Sequence, residues 1–126
     1  AYWDAFCDID VALDPFPYSG ATTTCDCLWM GIPVVSLAGV CGAARSACSL
    51  LTSLGLSDLC AATPEDYVDI AVRLGKDRER VANLRASLRN RMLASPVCDS
   101  ESFTRSVERQ LHRAWAMWCE ERSSDV

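Results

Sequence analysis

Three consecutive threonines, Thr22, Thr23 and Thr24, follow Gly20 and Ala21, and a carboxylate, Asp26, lies one helical turn beyond the first of them. Together they suit an anion with a sugar attached. A helix N-terminus offers unpaired N–H groups and the positive end of its dipole, which favour a phosphate. Threonine hydroxyls add donors there, and Gly20 lets the backbone approach a ligand closely. Asp26 falls on the same helix face as Thr22. It would repel a phosphate, but it can accept two hydrogen bonds from a ribose diol lying just beyond the phosphates. Spacing alone leaves a plainer reading slightly ahead, in which the threonines cap a helix and Asp26 is a solvated acid of its first turn.

These residues need elements to hold them. Ile9 to Leu13 and Ile32 to Leu37 are short apolar runs with β-branched residues, and the helix predicted from Thr22 to Met30 lies between them, closed by Gly31. That is a βαβ unit, with strands expected at 8–13, 32–37 and 57–61. Asp14-Pro15-Phe16-Pro17 makes the connecting loop stiff. The loop at 38–42 follows the second strand and is expected to form a second wall of a ligand crevice. Arg45 in the next helix opposes the dipole preference, a placement tolerated beside an anion or simply solvated. That helix shows an apolar face at 47, 50, 51 and 54 and ends at Gly55. Thr63-Pro64-Glu65-Asp66 opens a helix that Gly75 should stop. A further helix, Arg78 to Leu93, places Val81, Leu84, Leu88 and Met92 inward and its arginines in solvent. The last, from near Asp99, carries Phe103, Val107, Leu111, Ala114, Trp115 and Trp118 on one stripe; it is expected to pack through Trp115, the alternative being that part of this face covers a second domain outside the chain. Residues 120–126 read as a disordered tail.

At 126 residues and 50% hydrophobic, the chain has the size of one domain. It begins without Met and enters a strand almost at once, so a piece of a longer protein is expected. A net charge of −5 argues against a nucleic-acid partner. Eleven of the 12 basic residues are Arg, leaving Lys76 as the one lysine. Five of the eight cysteines (Cys7, Cys27, Cys41, Cys48, Cys60) sit in or beside apolar runs and read as core residues. Cys25 and Cys27 form C-x-C and His112 lies far off, so reduced thiols and no metal are expected. The uncharged run 27–44 contains Gly31, Pro33, Gly39 and Gly42 and reads as two elements and a turn, not a membrane span. A receiver-like domain would draw on Asp8, Asp10 and Asp14, but no lysine stands on a later strand to complete its site.

The runs Leu13-Asp14, Pro17-Tyr18-Ser19-Gly20-Ala21-Thr22-Thr23-Thr24-Cys25-Asp26 and Leu28-Trp29-Met30-Gly31-Ile32-Pro33-Val34-Val35 strongly resemble the C-terminal catalytic lobe of protein O-GlcNAc transferases and the related SPINDLY-type protein O-fucosyltransferases. Ser53-Leu54-Gly55-Leu56, Asp66-Tyr67, Ser95-Pro96-Val97-Cys98 and Trp115 extend the resemblance over nearly the whole chain. It implies an α/β fold: the C-terminal Rossmann-like lobe of a GT-B glycosyltransferase, with parallel strands, flanking helices and a long C-terminal helix, spanning 1–126. It further implies that Thr22 and Thr23, with Gly20, Ala21 and Thr24 around them, face the donor's diphosphate and that Asp26 holds its ribose. Ala21 stands where animal enzymes carry a phosphate-holding His, so backbone N–H groups and threonine hydroxyls must serve. Tyr2 falls near a position where a ring lies against the base. UDP-GlcNAc is the first donor implied and GDP-fucose the alternative, since Asp26 matches the O-GlcNAc enzymes while Pro17-Tyr18 and Ser95 to Cys98 match the fucosyltransferases. The reaction implied is inverting transfer to Ser or Thr of proteins, without a metal cofactor and in the cytoplasm, and in the nucleus too if the source is eukaryotic. The catalytic groups, the diphosphate lysine and the tetratricopeptide repeats that recruit acceptors are expected upstream, so the piece alone should bind donor weakly and catalyse nothing detectable. A lobe that keeps the fold but serves only as a docking surface is the competing reading, and Ala21 is the residue that points to it.

Overall fold

A computed structural model describes residues 2–123. Three parallel strands, β1 (Ala12–Leu13), β2 (Val34–Leu37) and β3 (Cys60–Ala61), form one sheet in the order β1-β2-β3. Ala12 pairs with Val34 and Ser36 with Cys60. Helix α1 (Thr22–Trp29) carries the chain from β1 to β2, and α2 (Ser46–Ser53) carries it from β2 to β3. Three helices follow: α3 (Pro64–Lys76), α4 (Arg78–Leu93) and α5 (Ser100–Ser123). The expected α/β order with parallel crossovers is therefore present.

The strands are shorter than their apolar runs. Residues Tyr2–Asp8 coil into a 3-10 helix that buries Phe6, and Ser57–Leu59 make another that buries Leu59. Each turn buries its apolar side chain without needing a strand partner. Val34, Val35 and Ser36 of the central strand are all buried, whereas Leu13 of the edge strand is 57% exposed.

The core joins Leu28 of α1, Ile32, Val34 and Val35, Leu51 of α2, Leu74 of α3, and Leu84, Leu88 and Met92 of α4. The faces predicted for α2 and α4 turn to the core, and α3 buries Leu74 there. Thr63 caps α3 by accepting from the Asp66 N–H at 3.1 Å. Gly75 does not stop α3. The helix runs on to Lys76, and Asp77 both ends it and caps α4 by accepting from the Arg80 N–H at 2.9 Å.

Gly31 does close α1, at φ 82°, and a Cβ there would lie 2.6 Å from the Arg85 carbonyl oxygen. Gly31→Ala is therefore expected to cost roughly 1–3 kcal/mol through left-handed backbone and the clash together. A urea melt in which the midpoint does not fall would contradict this.

Several arginines read as solvated are struts instead. Arg85 donates to the Ile9 carbonyl at 3.1 Å, and Arg89 donates to the Trp29 carbonyl at 2.9 Å while lying over the Trp29 ring. Arg80 pairs with Asp58. Trp29 of α1 is covered in part by Arg89, while Leu28 is fully buried.

The largest departure is α5. Phe103, Leu111 and Trp115 are 68%, 66% and 63% exposed, so the helix does not pack through Trp115. Trp115 stacks on Trp118 instead, at 5.0 Å between centroids. An apolar stripe identifies the face a helix can bury, not that its partner lies in the same domain. The helix runs through residues 120–123, the start of the expected tail; the remainder of that tail lies outside the described residues.

Of the cysteines expected in the core, Cys27 and Cys48 are buried and Cys60 half-buried, but Cys7 and Cys41 are exposed. Flanking apolar residues at a turn do not enclose their neighbour. Burial, followed by the contact with Cys48, pushes the Cys60 thiol up to about 12. Among the described residues no helix is long and apolar enough to cross a membrane.

Candidate donor site

The site begins where β1 ends. The Asp14 N–H donates to the Val35 carbonyl at 2.9 Å, which keeps the first residue past the strand in register with β2. Its side chain, only 3% exposed, then organises the loop to α1. Asp14 Oδ2 accepts from the hydroxyls of Ser19 (2.8 Å) and Ser36 (2.7 Å), and Oδ1 accepts from the Gly20 N–H (2.8 Å). The Tyr67 hydroxyl of α3 donates to the Asp14 carbonyl at 3.0 Å. A buried carboxylate needs such partners, and here both its oxygens have them.

Gly20 therefore has a different use from the one its type suggests. Its N–H is engaged by Asp14 and is not presented to a ligand. The missing side chain matters inwardly, because a Cβ would lie 2.8 Å from Thr24 Oγ1 and 3.0 Å from Asp14 Oδ1.

Helix α1 starts after Ala21, whose side chain makes no cap, and its first helical bond runs from the Cys25 N–H to the Ala21 carbonyl at 3.0 Å. The amides of Thr22, Thr23 and Thr24 thus have no acceptor within the helix. Helix phase divides the three threonines: Thr22 and Thr23 are exposed and Thr24 is buried against the loop. Capping by the threonine hydroxyls, the plainer reading, is not what the geometry shows at Ala21. Asp26 is half-buried one turn on, and its Oδ2 accepts from the Tyr2 hydroxyl at 2.8 Å. That hydrogen bond is the main reason the Tyr2 phenol titrates above its ordinary value. Tyr2 packs edge-on against Trp3 and Phe6 at 5.0 and 5.1 Å, so an aromatic cluster flanks the carboxylate.

The second wall is the chain after β2. Ser19 ties it to the first: its N–H donates to the Ala43 carbonyl at 3.2 Å, and its Oγ accepts from the Ala47 N–H at the start of α2, at 2.9 Å. The Arg45 guanidinium donates to the Gly39 carbonyl at 3.0 Å and clamps the loop. Between the starts of α1 and α2 lies an open depression of about 460 Å³, lined by Ala21, Thr22, Cys25, Ser46, Ser49 and Leu50. Burial raises the Cys25 thiol, with Asp26 and Cys98 adding to it, which disfavours its thiolate.

A larger groove of about 510 Å³ beside α4 is lined by Asp58, Asp77, Glu79, Arg80 and Arg91. Its charges are mixed, Arg80 is already paired, and it lies away from the carboxyl ends of the strands. Among the described residues no three His, Cys, Asp or Glu side chains gather as a metal site.

The arrangement can bind an anion at the α1 N-terminus and hold a hydroxylated group at Asp26. Sequence reasoning missed Asp14, Ser19, Ser36 and Tyr67 as parts of this site. The available signal was Ser36, a polar residue inside the otherwise apolar run Val34 to Leu37, which requires a buried partner.

The family model for glycosyl transferase family 41 matches residues 7–107. A barley protein named as a probable UDP-N-acetylglucosamine–peptide N-acetylglucosaminyltransferase SPINDLY is 44% identical over 119 residues, 94% of this chain and 13% of that protein. The Caenorhabditis elegans UDP-N-acetylglucosamine–peptide N-acetylglucosaminyltransferase is 39% identical over 84% of this chain and 9% of its own length. Among solved structures, a mutant of the Thermobaculum terrenum O-GlcNAc transferase superposes with a TM-score of 0.86 at 44% identity, covering 94% of this chain and 23% of that one. The chain thus spans about an eighth of the barley relative's length.

Proposed function

Because the chain belongs to glycosyl transferase family 41, we propose that it is the donor-binding part of an enzyme that transfers N-acetylglucosamine from UDP-GlcNAc to serine or threonine of proteins, with inversion. The observation that carries this reading is the uncapped start of α1, with the amides of Thr22, Thr23 and Thr24 unspent and the Asp26 carboxylate one turn beyond. The diphosphate sits at that start, on backbone N–H groups and the Thr22 and Thr23 hydroxyls, since Ala21 has no side-chain donor. The ribose hydroxyls bind Asp26, and the Tyr2 ring lies at the base side. As the sugar leaves, the charge growing on the diphosphate meets donors already in place, so no metal ion is needed. Catalytic groups and acceptor recognition belong to parts of the protein outside this chain: a second lobe with a phosphate lysine, and helical repeats. A cytoplasmic setting fits the thiol-rich chain.

Calorimetric titration of the full-length protein with UDP and GDP tests the donor. UDP is expected to bind at least about tenfold more tightly, a difference of about 1.4 kcal/mol. GDP binding more tightly than UDP would replace the proposed donor with a guanosine-linked sugar.

A further inference from the structure

We infer that Asp14 is the positioning residue of the donor site, its buried carboxylate setting the spacing between the starts of α1 and α2 that a nucleoside diphosphate must meet, without touching the nucleotide. The inference rests on the donor reading above.

The wiring of the carboxylate carries the argument. One oxygen holds the Gly20 N–H, one residue before the Ala21 cap of α1. The other accepts from Ser19, whose own oxygen accepts from the Ala47 N–H inside the first turn of α2. A single side chain therefore reaches both helix starts, while Ser36 moors it to β2. A carboxyl group buried to 3% exposure is a costly way merely to fill space, since each of its oxygens must find hydrogen-bond partners there. The loop is also closely packed here: a Cβ on Gly20 would meet Asp14 Oδ1 and Thr24 Oγ1 at 3.0 and 2.8 Å, so acid, loop and first helical turn pack as one body. Displacing that body carries the amides of Thr22 and Thr23 with it, and misplacement of about 1 Å can cost on the order of a hundredfold in rate.

The test uses the full-length protein with Asp14→Asn, Ser19→Ala or Ser36→Ala, reading UDP affinity by calorimetry, kcat and KM for the donor, and thermal unfolding. Asn keeps the shape and can still accept from Gly20, but it turns a donor towards the two serine hydroxyls. Asp14→Asn and Ser19→Ala should each weaken UDP binding about tenfold and raise KM more than they lower kcat. Ser36→Ala, which cuts only the mooring to β2, should lower the unfolding temperature comparably yet leave UDP affinity within about twofold. If Ser19→Ala and Ser36→Ala lower the unfolding temperature alike and neither changes UDP affinity, Asp14 is structural only and the inference is overturned. Should Asp14→Asn not fold, the two serine variants decide alone. Unaltered protein that binds no UDP would remove the donor reading and this inference with it. UDP binding lost in Asp26→Ala but kept in Ser19→Ala would remove the positioning role and leave the donor reading standing.

Discussion

Replacing Asp26 with Ala is expected to weaken UDP binding by roughly 1.5–3 kcal/mol, the range for hydrogen bonds made to a charged group. The carboxylate is half-buried on α1 and already accepts from the Tyr2 hydroxyl, so it is oriented before any nucleotide arrives. An oriented acceptor loses little freedom on binding, which places the effect inside that range and not at the lower figure for exposed pairs. The fold should survive, because Asp26 is not one of the residues that make up the core cluster. Thr63→Val serves as the control: it removes a cap from α3, costs about 1 kcal/mol of stability, and should leave UDP affinity unchanged. Calorimetry on the full-length protein reads both. An Asp26→Ala protein that folds and binds UDP as before would make the carboxylate a bystander.

Leu28→Ala is expected to have the largest effect on stability, roughly 2–5 kcal/mol, because Leu28 is 0% exposed and lies where α1 meets the sheet and α4. The side chain is lost together with the packing of helix α1, while Arg85 and Arg89 of α4, donating to the Ile9 and Trp29 carbonyls, oppose collapse of the gap. In a urea melt the midpoint should fall while the slope stays the same. A loss below about 1 kcal/mol would mean that the site collapses freely, and α1 would then be less rigidly seated than described.

How far sequence could foresee these features depended on how far apart the cooperating residues lie. Thr22, Thr23 and Asp26 fall within about one turn of one helix, so helical geometry alone put them on one side. The bounds of α4 were legible because Val81, Leu84, Leu88 and Met92 keep to one helical face and Pro96 follows soon after it. The burial of Thr24 was not legible, because three identical residues differ only once the helix phase is set against the sheet. Asp14 was hidden for a related reason: its partner Ser36 lies 22 residues away and Tyr67 lies 53 away, joined to it only by the parallel crossovers. Arg85 reaches the Ile9 carbonyl across 76 residues, and no charge pattern along α4 separates it from a solvated arginine. The stripe of α5 was read correctly as apolar and wrongly as covered, since periodicity names a face and not its occupant.

The claim that Asp26 receives the ribose is tested most directly by a thermodynamic cycle in calorimetry, pairing the full-length protein and its Asp26→Ala variant with UDP and with 2′,3′-dideoxy-UDP. If the carboxylate holds the diol, removing either partner removes the same hydrogen bonds. Asp26→Ala should then weaken UDP binding but change dideoxy-UDP binding by less than about 0.5 kcal/mol, the two losses failing to add. If instead the losses add in full, the diol and Asp26 do not meet, and the nucleotide lies elsewhere on this lobe.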